Sequence, residues 1–230
     1  MLLRTKTLGI VAATTVALGA IVYFASSAIV TSRYSDLEND QAVRDVDRVR
    51  EAVDLELARL DSLARDWSAW DDTYEFMQGE DADYVEANLA DETLANLSVD
   101  AMLFFDNDGE LAYAKTVDSE GADAPVAAEV VEVATAPGDL IGFSHEDDSL
   151  SGILTTEDGA IMVASRPVIT SEGIGPIAGT FVFVRMFDER FVGQLESVTK
   201  ISMNTFAVPP GVAAEPGGET IEPLSSDILS

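Results

Sequence analysis

The chain has 230 residues, 47% of them hydrophobic, which suffices for one large or two small packed domains and excludes disorder throughout. Its 42 acidic and 13 basic residues leave a net charge of −29, a surface that repels nucleic acid and anionic headgroups alike. With no cysteine and one histidine, His145 in the loop stretch "GFSHEDDS", there is no disulfide framework, no thiol chemistry and no transition-metal cluster, and no cofactor is expected.

Residues 8–30, "LGIVAATTVALGAIVYFASSAIV", carry no charge. As a helix they would reach about 34 Å, against roughly 30 Å of bilayer hydrocarbon, and this predicts a membrane span. Arg4 and Lys6 precede it and the acidic residues all follow from Asp36 onward, so residues 1–7 are expected in the cytoplasm and the main domain outside the cell. A cleaved signal peptide is the rival reading, but its apolar region is usually only about 7–15 residues long and ends in a small-x-small site. No second run of spanning length occurs; "IAGTFVFV" meets Arg185 and reads as a strand. Acidity on this scale, with lysine only at positions 6, 115 and 200, points to a salt-adapted surface, tolerable where the Debye length falls to about 3 Å. Ordinary acidic solubility is the alternative.

After the span, Val43, Val46, Val49, Val53, Leu57, Leu60, Ala64 and Trp67 recur at spacings of three and four, with charges between them. Asp40 with Arg44 and Asp61 with Arg65 lie one turn apart, and neither glycine nor proline interrupts residues 20–78. One long helix is predicted, its juxtamembrane part over 31–66. Its seam packs either on a twin helix, giving a homodimer, or on its own domain. Trp67, Trp70 and Tyr74 continue the stripe at i, i+3 and i+7, so the rings either plug helix to domain or wall a ligand pocket with Asp71 and Asp72 at its mouth. Adjacent carboxylates on a helix point about 100° apart and do not form a catalytic dyad.

Beyond the helix the apolar period changes to two. "AMLFF" (101–105), "DNDG" (106–109) and "ELAYAK" (110–115) read as a hairpin. "APVAAEVVEVAT" (124–135) reads as a short helix closed by Pro137-Gly138. Strands follow over 152–156, 160–169 and 177–187, joined by "EDG" and "TSEGIGP", and then a helix over 188–199 with Asp188 as N-cap. The sum is α+β: a five-stranded antiparallel sheet with helices to one side and the long helix in front. "GIGPIAG" lacks the lysine and spacing of a phosphate loop, and "DNDG" lacks the other ligands of a calcium loop. Ser144 and Ser165 have no nucleophile-elbow context, so an enzyme is not expected.

"DWSAWDDTYEF", "YVEANL", "FFDNDGELAY" and "ASRPVITSEGIGPIAGTFVFVRMFDERFVGQL" together resemble the type-four CHASE family over about residues 57–202. These are extracellular sensory domains of transmembrane histidine kinases and cyclic-di-nucleotide enzymes. The resemblance implies a PAS-like or single-Cache-like domain over 67–199, held between two membrane helices, with a small-molecule ligand of unknown identity. The tail, 200–230, departs from that pattern: no second span or transmitter follows, so the chain is either a truncated receptor or one that signals through a partner.

The function expected is therefore ligand sensing outside the cell, passed on as a small displacement of the long helix. A tethered solute-binding or adaptor protein is the alternative. The candidate ligand residues are Trp70, Asp71 and Tyr74 on the helix, facing Arg166 and Arg185 on the late strands. An arginine in an apolar strand needs a partner, either a ligand carboxylate or a helix carboxylate that clasps helix to sheet.

Overall fold

The computed structural model describes residues 2–203 except 80–82, 119, 136–139 and 157–158; over residues 2–40 side chains are described only at Lys6, 14–24 and Ser26. The chain divides after Arg48 into two units. Helix α1 runs over Leu2–Ser68. Among the described residues no helix is long and apolar enough to cross a membrane. Much of the expected span over 8–30 falls on side chains outside that description, as do the Pro137-Gly138 stop, most of the "EDG" turn and the tail from 204 onward.

The second unit is built on a five-stranded antiparallel sheet in the order β2-β1-β5-β4-β3, with β1 Ala101–Phe105, β2 Leu111–Thr116, β3 Leu150–Thr156, β4 Gly159–Pro167 and β5 Thr180–Met186. The three central strands, β1, β5 and β4, are apolar on both faces because both faces are covered. On one face Met102, Phe104, Met162, Ala164, Phe181 and Phe183 meet Val53, Leu57, Leu60 and Ala64 of α1. The same core takes in Tyr84 of α3 (Tyr84–Asn88), Leu94 of α4 (Asp91–Leu97), and Phe191 and Leu195 of α6 (Glu189–Thr199). On the other face Leu103, Phe105, Val163, Val182 and Val184 meet Val130 and Ala134 of α5 (Ala128–Thr135). The α+β class and the five strands are as predicted. Helices on one side only is corrected, because α5 covers the second face.

Local chemistry sets most boundaries. The β1–β2 turn forms because Asp106 Oδ1 accepts from the N–H groups of Asp108 and Glu110, at 3.0 and 2.8 Å. Asp188 caps α6 by accepting from Phe191 N–H at 3.0 Å. Helix α5 starts at Ala128 rather than 124, since Ala124 N–H is drawn to Thr116 O at 3.0 Å and Val117 bridges Asp123. The apolar stripe of α1 is buried from Val53 onward, whereas Val43 and Val46 are exposed.

The expectation of one helix through Tyr74 fails. Helix α1 stops at Ser68, Trp70 is extended (φ −131°, ψ 134°), and α2 restarts over Asp71–Met77. No local breaker is present. The cause is tertiary: Ser68 O accepts from Ile169 N–H at 2.9 Å, and Asp71 N–H donates to Ser171 Oγ at 3.2 Å. Both partners come from the β4–β5 connection, which is also why β4 ends at Pro167 and not at 169.

Candidate functional site

Two arginines tie α1 to the sheet. Arg166 on β4 donates through Nε and Nη2 to the two carboxylate oxygens of Asp61, at 3.0 and 2.6 Å, a bidentate pair. Asp61 is thus engaged by the sheet, not by Arg65 as the helical spacing predicts. Arg185 on β5 donates to Glu56 Oε2 and to Gln194 Oε1 of α6, each at 2.6 Å, and lies 4.5 Å above the Phe191 ring. Its side chain is 8% exposed. Burial lowers its pKa from the usual arginine value, while Glu56 opposes that shift; the group remains a cation. Glu56 Oε2 also accepts from Arg59 Nε at 3.0 Å, and Arg59 Nη1 reaches Leu97 O at 3.1 Å.

Between and beyond these clasps the contact is aromatic. Trp67 stacks on Phe181 (6.4 Å, 14°) and meets Phe183 and Trp70 edge-on, at 6.3 and 5.9 Å. Trp70 lies 6.1 Å from Tyr84, which stacks on Phe76 at 4.6 Å. Thr73 and Tyr84 share a buried hydroxyl–hydroxyl hydrogen bond of 2.7 Å. Trp67 is therefore part of the plug between helix and sheet, and Trp70 packs at its end.

The β4–β5 connection forms a strap across α2. Ser171 N–H donates to Asp71 Oδ1 at 2.9 Å while Asp71 N–H donates to Ser171 Oγ, a reciprocal cap supplied from a distant part of the chain. Tyr74 Oη donates to Pro176 O at 3.2 Å. An open recess of about 460 Å³ lies between strap and helix, lined by Asp71, Tyr74, Glu75, Gln78, Thr170 and Pro176. Gly179, at φ +152°, lets the strap's end pass the sheet, since a Cβ there would sit 2.3 Å from Phe105 O and 2.7 Å from Met77 Cε.

A second recess, about 280 Å³, lies where α6 meets the sheet and includes Arg185, Arg190, Asp100 and Asp188. Arg190 bonds Asp100 at 2.6 Å and Asp188 at 2.7 Å, and Asp100 also accepts from Met186 N–H at 2.7 Å. Burial works against the Asp188 carboxylate, but Phe191 N–H and Arg190 outweigh it and hold its pKa below the ordinary 3.8. Ser165 is structural, its Oγ donating to Leu140 O in the core. Among the described residues no group of three or more His, Asp or Glu side chains is placed to hold a metal ion.

The five candidate residues thus fall in separate places. Asp71 and Tyr74 border the strap recess beside Trp70; Arg166 sits in its own clasp and Arg185 borders the second recess. Sequence reasoning missed Glu56, Gln194, Ile169 and Ser171. Glu56 sits among the charges of α1 like any solvated residue, and Ser171 in a turn-rich stretch gives no sign of capping a helix 100 residues earlier.

The second unit is thus an α+β domain, a five-stranded antiparallel sheet with the long leading helix clasped to one face. Residues 52–205 match the CHASE4 domain, a sensor domain of histidine kinases, and the chain belongs to that family. It is 32% identical over 177 residues to the methanogenesis regulatory histidine kinase FilI of Methanothrix harundinacea (strain 6Ac). That alignment takes in 76% of this chain and 20% of the other, so the chain spans about a fifth of the curated relative's length. Among solved structures, the extracellular domain of vpHK1S-Z8, assigned as a histidine kinase, superposes with a TM-score of 0.49 at 11% identity, covering 68% of this chain and 60% of that one. The periplasmic domain of Vibrio cholerae LuxQ superposes with a TM-score of 0.42 at 14% identity, covering 69% and 70%.

Proposed function

We propose that this chain is the extracellular ligand-sensing part of a membrane-anchored receptor, spanning the membrane over residues 8–30 and working as a homodimer through α1. A small molecule enters the recess between α2 and the strap, where Trp70, Asp71 and Tyr74 receive it. Arg166 and Arg185 carry the resulting movement of the sheet to α1. The observation that supports this reading best is the pair of clasps, Arg166 to Asp61 and Arg185 to Glu56: two strands cannot shift along the helix without moving or breaking a charged contact. Family membership and the histidine kinase relative support a phosphotransfer output.

The test is a chimera in which residues 1–203 replace the sensor segment of a histidine kinase, screened with small metabolites for a change in autophosphorylation. Asp71→Ala and Tyr74→Ala should abolish the response to an active compound. Arg166→Ala should leave binding intact and uncouple it from the kinase. A response unaltered by all three would overturn the proposal.

A further inference from the structure

The helix breaks at an alanine. Ala69, the residue type with the highest helical propensity, and Trp70 separate α1 from α2 in a stretch free of glycine and proline from residue 20 to residue 78. Helical bonding reaches the gap from both sides, since Ala69 N–H bonds Arg65 O at 3.0 Å and Tyr74 N–H bonds Trp70 O at 2.9 Å. What holds the gap open comes from the strap: Ile169 N–H on Ser68 O, and the reciprocal Asp71–Ser171 pair. The Asp71–Ser171 bonds are exposed, as is the Tyr74–Pro176 bond beside them. A conflict between local preference and tertiary contact is expected at functional or strained sites.

We infer that the α1–α2 break is a releasable switch: when the strap lets go, Ala69 and Trp70 become helical and α1 runs on into α2 at Asp71. Extension takes Trp70 from extended to helical values and lets Ser68 O bond the N–H four residues ahead in place of Ile169. Thr73, bound to Tyr84, and Phe76, stacked on Tyr84, keep α2 anchored to the domain. The two added residues lengthen α1 by about 3 Å before it meets α2 and turn Trp70 onto the face of Trp67. The switch is a property of the break itself and needs no assumption about the ligand.

The test uses the full chain, isotope-labelled, and reads the Cα chemical shifts of Ala69 and Trp70 in Ser171→Ala and Asp71→Ala, with a thermal melt establishing that each variant is folded. The expected result is a several-fold rise in helical population at both positions in both variants, cut about fivefold when Ala69→Gly is added. Unchanged shifts in folded variants would overturn the inference. So would shifts that move to coil values, because the strap would then be supporting the gap's order and not opposing the helix. Failure of the kinase chimera with the shift change present would reject the ligand reading and leave the switch standing.

Discussion

Arg166 holds Asp61 through Nε and Nη2, at 3.0 and 2.6 Å, and so joins strand β4 to helix α1 by a planar, two-point contact. Arg166→Ala or Asp61→Ala should each destabilise the domain by about 1.5–3 kcal/mol, the usual worth of hydrogen bonds to charged groups. Urea denaturation of both single variants and the double variant measures their coupling. Additive effects would mean that the pair contributes nothing as a pair.

Arg185 is the more demanding contact because it is nearly enclosed. Arg185→Ala leaves the half-buried Glu56 with Arg59 alone and should cost about 3–5 kcal/mol in a chemical melt. Arg185→Lys should recover less than half of that loss, since a point charge does not reproduce the fork that reaches Glu56 and Gln194 while lying on Phe191.

Asp188 makes stability depend on acid. Its folded pKa lies below 3.8, so its contribution is fully present above that value and is lost as pH falls through the depressed one. Asp188→Ala removes both the cap and the bond to Arg190 and should cost about 0.5–2 kcal/mol at pH 7. The gap between wild type and variant should close on acidification below about pH 3.8, in stability curves taken from pH 7 to pH 2.

Gly179→Ala places a methyl group against the backbone carbonyl of Phe105 and against Met77 of α2. A rigid backbone atom does not yield as a side chain would, and the positive φ adds strain. The expected loss is at least about 2 kcal/mol, with the amides of α2 exchanging faster than those of the central strands. Equal protection in wild type and variant would show that α2 does not lean on this passage.

Charge predicts a response to salt. A net −29 on this chain repels itself over roughly 10 Å at 0.1 M salt and over about 3 Å at 1 M. The melting temperature should rise steadily between those concentrations of sodium chloride. A flat or falling curve would favour an acidic surface with no adaptation to salt.

Hairpin, sheet and final helix were legible because each is set by nearby residues: alternating apolar positions, an aspartate that closes its own turn, another that caps the helix it precedes. The gap at Ala69 was not legible because its cause lies about a hundred residues later in chain order, in Ile169 and Ser171, while every local signal favours continuation. The clasps were half legible. Arginine within an apolar strand announces a partner, but which helix carboxylate answers is a matter of register between strand and helix, so helical spacing alone pairs Asp61 with Arg65 and gives no sign of Glu56. The aromatic residues announced a crowded joint, and the sheet face supplied Phe181 and Phe183 to fill it.

Both indoles of this protein flank that joint, Trp67 on the last turn of α1 and Trp70 within the gap itself. Nature has thereby installed an optical gauge at the moving part: indole emission, excited on the long-wavelength side where tyrosine does not absorb, originates wholly from the two sides of the hinge. Any bend, twist or straightening there will be visible in unlabelled material.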